Sequence, residues 1–122
     1  MSTRKRLPNR RPSHTETLQV DGQVFTATVG FDPENDQPRE LFLVAGKEGS
    51  MLNAMLADAA VVISITLQHG IPAAALTKSV GQLPAGPVTP ADLEGPRPGR
   101  VPASPIGAAL DLVSVFERER AK

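Results

Sequence analysis

Cysteine, tryptophan and tyrosine are all absent from this chain of 122 residues. Without cysteine the chain has no disulfide, no thiolate nucleophile and no cysteine-based zinc site. Its two histidines are far apart in the sequence, and we expect neither a metal nor a cofactor. Since its four phenylalanines are its only aromatic residues, the chain has no obvious platform for stacking nucleic-acid bases.

Net charge is absent too, because 13 basic residues balance 13 acidic ones. No overall field therefore attracts nucleic acid or a membrane surface. The distribution is nevertheless uneven, because a basic arm before Pro12 holds five cations: Arg4, Lys5, Arg6, Arg10 and Arg11. Such an arm is a candidate for contacts with nucleic-acid phosphates, a mode of binding that salt weakens. The alternative is a solubilising tail or a segment that docks a partner.

A secretory signal is not predicted, because no apolar segment follows the basic N-terminus. The apolar run from Met51 to His69 is long enough to span a bilayer at about 1.5 Å per residue. Polar residues interrupt this run, which favours a buried helix, and they are Asn53, Asp58, Ser64 and Gln68. We therefore expect a cytoplasmic protein that does not enter a membrane.

The order of segments predicts a single α+β domain over residues 16–122, preceded by a basic arm at residues 1–15 that is disordered or loosely docked. A hairpin is predicted at residues 17–29, turning at Asp21 and Gly22, because both residues tolerate a positive φ. A polar connector at residues 31–38 leads to a third strand at Leu41–Ala45. Its continuous apolar run is typical of a central strand buried on both faces.

Three helices are predicted after the strands. The apolar run forms a long helix that should be covered on most sides. A short helix is expected at residues 73–83, and a Pro/Gly-rich loop at residues 84–103. Ser104 and Pro105 then supply the N-cap and first-turn proline of a C-terminal helix. The predicted fold is a three-stranded antiparallel sheet with a long buried helix, a short helix and a C-terminal helix packed on one face.

The turn between the third strand and the long helix is the strongest candidate site. The backbone N–H groups at the helix start, together with Lys47, Gly49 and Ser50, would suit a phosphate or carboxylate. The alternative is structural, with glycines making a tight turn and Ser50 capping the helix. The spacing is not that of a P-loop, whose lysine follows the second glycine.

Two further polar features are better explained by structure than by chemistry. His69 stands in the last turn of the long helix, before a glycine, where histidine suits the negative end of the helix dipole. Asp32, Glu34 and Asp36 alternate like calcium ligands, but a proline and a missing loop glycine break the EF-hand pattern. No catalytic residue and no metal ligand is therefore predicted.

Several segments, taken in order, resemble the TSCPD domain family. The matching pieces are Leu-Pro-x-x-Arg, a Glu-led apolar strand, Gly-Lys-x-Gly-Ser, a helix ending in Leu-Gln-x-Gly-Ile-Pro, and a Ser-Pro cap. They stand here at residues 7–11, 40–43, 46–50, 67–72 and 104–105. The family is found at the end of vitamin B12-dependent (class II) ribonucleotide reductases and as free-standing proteins. The resemblance implies an accessory module that is not an enzyme on its own, since the catalytic barrel of the reductases is missing.

The chain departs from the family at the stretch that gives the family its name. Thr-Ser-Cys-Pro-Asp is replaced at residues 102–107 by Pro-Ala-Ser-Pro-Ile-Gly, which retains the serine and proline only. Any redox or zinc chemistry of the family's cysteines does not transfer to this cysteine-free variant. Two functions stay open: an accessory or binding module of ribonucleotide reduction, and a small nucleic-acid-binding protein that uses its basic arm. An enzyme acting at the Lys47–Ser50 turn is the weakest alternative.

The long apolar helix also bears on partners. A three-stranded sheet and two helices offer little surface to cover it, and uncovered apolar surface favours a homo-oligomer or docking onto a larger protein. The other expected partners are a nucleotide or simple anion at the Lys47–Ser50 turn and nucleic acid at the basic arm.

Overall fold

A computed structural model describes residues 3–46, 49–84 and 100–121 of the chain. Three strands come first: β1 (Ser13–Val20), β2 (Gln23–Phe31) and β3 (Pro38–Ala45). They are followed by α1 (Met51–Gln68), α2 (Ala73–Thr77), β4 (Gln82–Pro84), β5 (Arg100–Pro102) and α3 (Pro105–Arg120). The predicted α+β fold is confirmed, with an antiparallel sheet in the order β1-β2-β3 and, in the described part, three helices.

The predicted hairpin joins β1 to β2. Asp21 has a φ of 49° and Gly22 a φ of 80°, which is the pair of left-handed residues that a two-residue hairpin turn requires. The strands are longer than predicted, because pairing continues to Ser13 opposite Gly30. The sequence analysis predicts residues 13–15 as the end of the N-terminal arm, but they belong to β1.

The core lies between one face of the sheet and helices α1 and α3. Alternate residues of β2 and β3 point into it, as the period of two in the β2 sequence predicts. They pack against apolar side chains of the two helices. The strand and helix residues of this core are nearly inaccessible, and they are Phe25, Ala27, Val29, Leu41, Leu43, Ala45, Leu56, Ala60, Ile63, Leu67, Ala109, Leu110 and Val113.

Strand β3 lies at an edge of the sheet, so the predicted central position is wrong. Its outer face leaves Phe42 and Val44 exposed by 50% and 58%. The edge is covered instead by α1, whose Ser64 Oγ accepts from the N–H of Leu41 (2.9 Å) and donates to its C=O (3.1 Å). A continuous apolar run is compatible with two positions. The strand can lie between two other strands, or it can lie at an edge along which a helix packs, as here.

Helix α1 is covered on one side only, against the expectation that most of its surface would be buried. By length and composition it could cross a membrane, yet 33% of it is buried in this structure. Exposed apolar side chains run along its other side, and they are Met51, Met55, Val61 and Val62. The helix is apolar nearly all round, but the described part of the chain covers one side of it.

The second half of the chain differs from the prediction in detail. Helix α2 ends at Thr77 rather than continuing to residue 83. The predicted loop at residues 84–103 lies mostly outside the described residues, but its two ends pair as the antiparallel strands β4 and β5. Pairing at these ends explains the shorter helix, because the chain must turn into β4 soon after Thr77.

Helix α3 begins as predicted. Ser104 Oγ accepts a hydrogen bond from Gly107 N at 3.1 Å, and Pro105 occupies the first turn. At its other end Phe116 packs edge-on against Phe31, and the guanidinium of Arg120 lies 4.1 Å from the Phe31 ring centroid. Since Phe31 ends β2, the C-terminal part of α3 lies beside the end of that strand.

Candidate functional sites

The turn before α1 has the geometry of a helix cap. Ser50 Oγ accepts from Asn53 N at 3.1 Å, which confirms the structural interpretation of Ser50. Gly46 and Gly49 have φ values of 65° and 82°, in the left-handed region that favours glycine. Lys47 lies outside the described residues, so anion binding by Lys47, Gly49 and Ser50 stays a prediction.

The basic arm lies against the domain. Lys5 N donates to Gln68 O at 2.9 Å, and Arg4 Nε donates to Gln68 Oε1 at 2.6 Å, which ties the arm to the end of α1. Farther along, Arg11 Nε donates to Glu40 Oε1 at 2.6 Å on β3. Of the two predicted states of the arm, these bonds correspond to the docked one, because its cations find acceptors on two elements distant in sequence.

Lys5 neutralises a buried acid. Its Nζ lies 3.2 Å from Asp32 Oδ2 and also pairs with Glu34. Burial alone would raise the pKa of Asp32, but a hydrogen bond from Glu34 N and the pairing with Lys5 outweigh it, so the pKa is lowered. The hydrogen bonds to Glu34 and Asp32 raise the pKa of Lys5. Asp32, Glu34 and Asp36 thus form a turn rather than a calcium loop, since the first two bind a lysine and Asp36 pairs with Arg120.

Two cations of the arm differ from the other three. Arg6 and Arg10 are exposed and form no ion pair within the described part of the chain. The cationic surface left for a nucleic acid is therefore smaller than five positive charges in sequence indicated. Nucleic-acid binding by the arm stays a prediction.

The histidines have structural positions. His69 is the C-cap of α1, and its backbone N–H bonds to carbonyls of the last turn. Gly70 follows with a φ of 88°, the left-handed residue that the sequence predicts at this helix end. His14 lies in β1, with Nε2 3.1 Å from Glu16 Oε1 and its ring edge-on to Phe116.

Glu117 has a role that the sequence did not reveal. Its two carboxylate oxygens accept from the backbone N–H groups of Ala73 and Ala74, at 2.7 and 3.2 Å. A carboxylate from α3 thereby caps α2, whose own N-cap is a proline without a suitable side chain. No local sequence signal identifies such a cap, because the two partners are 44 residues apart.

A groove between β3 and α1 is a surface feature that the sequence analysis did not predict. It has a volume of about 420 Å³ and is lined mainly by apolar side chains, including Phe42, Val44, Ala57 and Val61, together with Arg4. The groove joins the exposed side chains of Phe42 and Val44 on β3 to that of Val61 on α1. We call this surface the β3–α1 face. The sequence shows an apolar strand followed by an apolar helix. Only the strand order places β3 at an edge and leaves this face exposed.

Within the described residues, no three His, Cys, Asp or Glu side chains are grouped to hold a metal ion. The described residues form a small antiparallel sheet covered by helices on one face, with exposed apolar side chains on β3 and α1. The chain belongs to the TSCPD domain family, which matches residues 2–112, and the resemblance seen in the motifs is thereby confirmed.

Its curated relatives include vitamin B12-dependent ribonucleotide reductases. The chain is 33% identical to that of Rhodopirellula baltica over 69 residues and 37% identical to that of Agrobacterium fabrum over 70 residues. These matches cover 57% of this chain but only 6% and 5% of the relatives. The reductase of Streptantibioticus cattleyicolor is 38% identical over 69 residues, or 11% of its length. No solved structure matches the chain significantly. The similarity supports an accessory module related to ribonucleotide reductase.

Proposed function

We propose that this chain is a non-catalytic module that binds a vitamin B12-dependent ribonucleotide reductase and assists deoxyribonucleotide synthesis. The observation that carries the proposal is the match of residues 2–112 to the TSCPD family, together with the similarity of 57% of this chain to a small part of such a reductase. A region of that size holds no room for the reductase's own catalytic machinery. Its contribution is therefore sought in binding.

The roles of the charged side chains support a non-catalytic module. Glu117 caps a helix, Glu40 holds Arg11 and Asp32 holds Lys5. A general acid or base needs a partner group and access to a substrate. Each of these carboxylates instead satisfies a donor of the fold, and the groove that Glu40 borders is lined mainly by apolar side chains.

The β3–α1 face is the surface that we assign to the reductase. Exposed apolar surface of this kind marks interaction sites in soluble proteins. Val61 is exposed by 57% and lines the groove from α1, where Phe42 of β3 completes the face. Docking there would bury apolar surface without breaking any of the hydrogen bonds that hold the arm or the β3 edge.

The direct test is binding between this chain and a purified vitamin B12-dependent reductase whose own matching region has been deleted. We expect a complex by calorimetry and a higher turnover of ribonucleotide when the chain is added. Val61→Asp should weaken the complex at least tenfold, because a carboxylate would be buried against apolar surface. Ala75→Asp, on the exposed side of α2, is the matched control and should bind normally. Absence of binding by the parent chain would refute the proposal.

A further inference from the structure

The two edges of the sheet are treated differently. On the β3 edge, α1 provides side-chain hydrogen bonds to Leu41 and to Ala45 N, the latter from Asn53 Oδ1 at 3.2 Å. Among residues 3–46, 49–84 and 100–121, no strand is paired with the opposite edge, which β1 forms in the order β1-β2-β3. An edge strand of this kind is a ready template for another strand unless the protein blocks it.

The register shows which groups of β1 face outward. Because both polar backbone groups of Leu41 point away from β2, its partner Val29 must direct its own toward β1. Val29 pairs with His14, so alternate residues from His14 onward bond to β2. The remaining residues direct their N–H and C=O groups outward, and they are Ser13, Thr15, Thr17 and Gln19. These backbone groups have no hydrogen-bond partner among the described residues.

The usual protections of an edge strand are missing from β1. The strand, SHTETLQV, contains no lysine, no proline and no irregularity in its pairing with β2. Its outward-facing residues are exposed and uncharged, and two of them are β-branched threonines suited to strand pairing. The single acid, Glu16, lies on the other face of the strand beside His14.

We propose that β1 pairs antiparallel with the β1 of a second copy of this chain, so that two sheets join into one across a two-fold axis at Thr15. Ser13 then pairs with Thr17 of the second copy, and the two Thr15 residues pair with each other. This register also places His14 of each copy opposite Glu16 of the other, an imidazole against a carboxylate.

Other two-fold registers fit less well. An axis at Glu16 sets the two Glu16 carboxylates directly opposite each other, which is destabilising. An axis at Thr17 sets Glu16 opposite Leu18 of the second copy, so neither the carboxylate nor His14 faces a charged partner. Of these three axes, the one at Thr15 satisfies both the backbone groups and the charged side chains.

Helix α3 extends the same interface. Phe116 packs against His14 of β1, and Leu112 lies one turn earlier on the same side of the helix. Leu112 is partly exposed and Val115 is 36% exposed, so both are available where the helices of two copies would meet. The proposed interface therefore combines backbone hydrogen bonds between the two β1 strands with burial of apolar side chains of α3.

A cysteine scan tests the register cleanly because the chain contains no cysteine of its own. Hydrogen-bonded antiparallel partners lie about 5.5 Å apart at Cα, within the range that a disulfide spans. Under mild oxidation Thr15→Cys should form a disulfide-linked dimer at least tenfold faster than Glu16→Cys or Thr17→Cys. Faster cross-linking at either of the other two positions would overturn the proposed register.

Sedimentation velocity at micromolar concentration tests the pairing itself, and the parent chain should be a dimer. Thr15→Pro removes an outward N–H that β2 does not use, and Thr15→Lys places two ammonium groups at the axis without altering the backbone. Both variants should be folded monomers by circular dichroism and sedimentation. The control is Thr26→Lys, on the exposed sheet face opposite Thr17, which should remain a dimer.

Three outcomes would overturn the proposal. They are a monomeric parent chain, a dimer that Thr15→Lys leaves intact, and a dimer that Val61→Asp dissociates, which would place the contact on the β3–α1 face. Because this experiment uses the chain alone, its result is separate from the reductase-binding test.

Discussion

At the scale of single residues, Asp32 shows how a carboxylate becomes part of the fold. It is 2% exposed, accepts from Glu34 N at 2.9 Å and binds the ammonium of Lys5. Such a buried charge is tolerated because its hydrogen bonds replace those lost to water. The ion pair also fixes the basic arm, so the same contact serves the turn after β2 and the N-terminal segment.

Asp32 therefore makes the stability of the protein dependent on acid. Its pKa is lowered in the folded state, so its contribution is complete above the unfolded value, about pH 4, and is lost as the pH falls through the folded value. Asp32→Asn should cost about 1–2 kcal/mol at neutral pH and flatten this acid-side loss. Urea unfolding from pH 7 to pH 2.5 measures both effects. A parallel loss in parent and variant would contradict this role of Asp32.

Ser50 offers a second test at the residue scale. Ser50→Ala removes the acceptor for Asn53 N and should lower the free energy of unfolding by about 1 kcal/mol. Lys47→Ala should change it by no more than about 0.5 kcal/mol. If the turn also binds an anion, millimolar phosphate, sulfate or nucleotide should raise the melting temperature of the parent but not of Lys47→Ala. Without such a rise in the parent, the anion-binding prediction is wrong.

At the scale of elements, α1 provides the hydrogen bonds to β3 that a fourth strand would otherwise provide. Strands need hydrogen-bond partners along both sides, and here Ser64, Asn53 and Gln68 supply them from a helix. Small residues of α1 between these contacts allow the close approach that forms the groove. The same packing turns the opposite side of α1 toward solvent, which is why the edge is protected and the helix is half uncovered.

The contribution of this arrangement can be measured at Ser64. Ser64→Ala leaves the buried N–H and C=O of Leu41 without partners and should cost about 1–3 kcal/mol. Thr66→Ala is the matched control on the same helix, because its hydroxyl bonds only to Val62 O within α1. It should change stability by less than about 0.5 kcal/mol. Equal losses in the two variants, measured by urea unfolding, would show that α1 does not serve the β3 edge in this way.

At the scale of the whole molecule, internal pairing decides how much of the basic arm is available to a polyanion. Arg4, Lys5 and Arg11 are held by acceptors of the domain, and the net charge is zero. Binding to nucleic acid would have to break these contacts or rely on Arg6 and Arg10. Either route predicts weak association that salt removes.

We therefore expect no retardation of DNA or RNA by the parent chain at physiological salt, measured by gel shift and fluorescence anisotropy. Replacing Arg6 and Arg10 together by alanine should leave this result and the folded stability unchanged. A shift at physiological salt that the double variant abolishes would instead favour the nucleic-acid function. Lys5→Ala serves as the contrasting variant, because it should reduce stability through Asp32.

The family and the local structure could be predicted from the sequence because their signals are local. Asp21 and Gly22 define a hairpin turn by their own backbone preferences, and Ser104 and Pro105 define a helix start. The motifs from residue 7 to residue 105 likewise suffice for the TSCPD assignment, since they require only order along the chain. Cysteine chemistry was excluded by composition alone.

What the tertiary structure decided depends on which segments become neighbours. The apolar pattern of β3 is the same for a central strand and for an edge strand beside a helix, so Phe42 could be placed on an open face only once the strand order was known. Lys5 and Asp32, or Glu117 and Ala73, meet across long stretches of sequence. The sequence by itself determined the elements and the family, because these depend on short-range preferences. The structure determined the docked arm, the open β1 edge and the β3–α1 face, because each depends on contacts between distant segments.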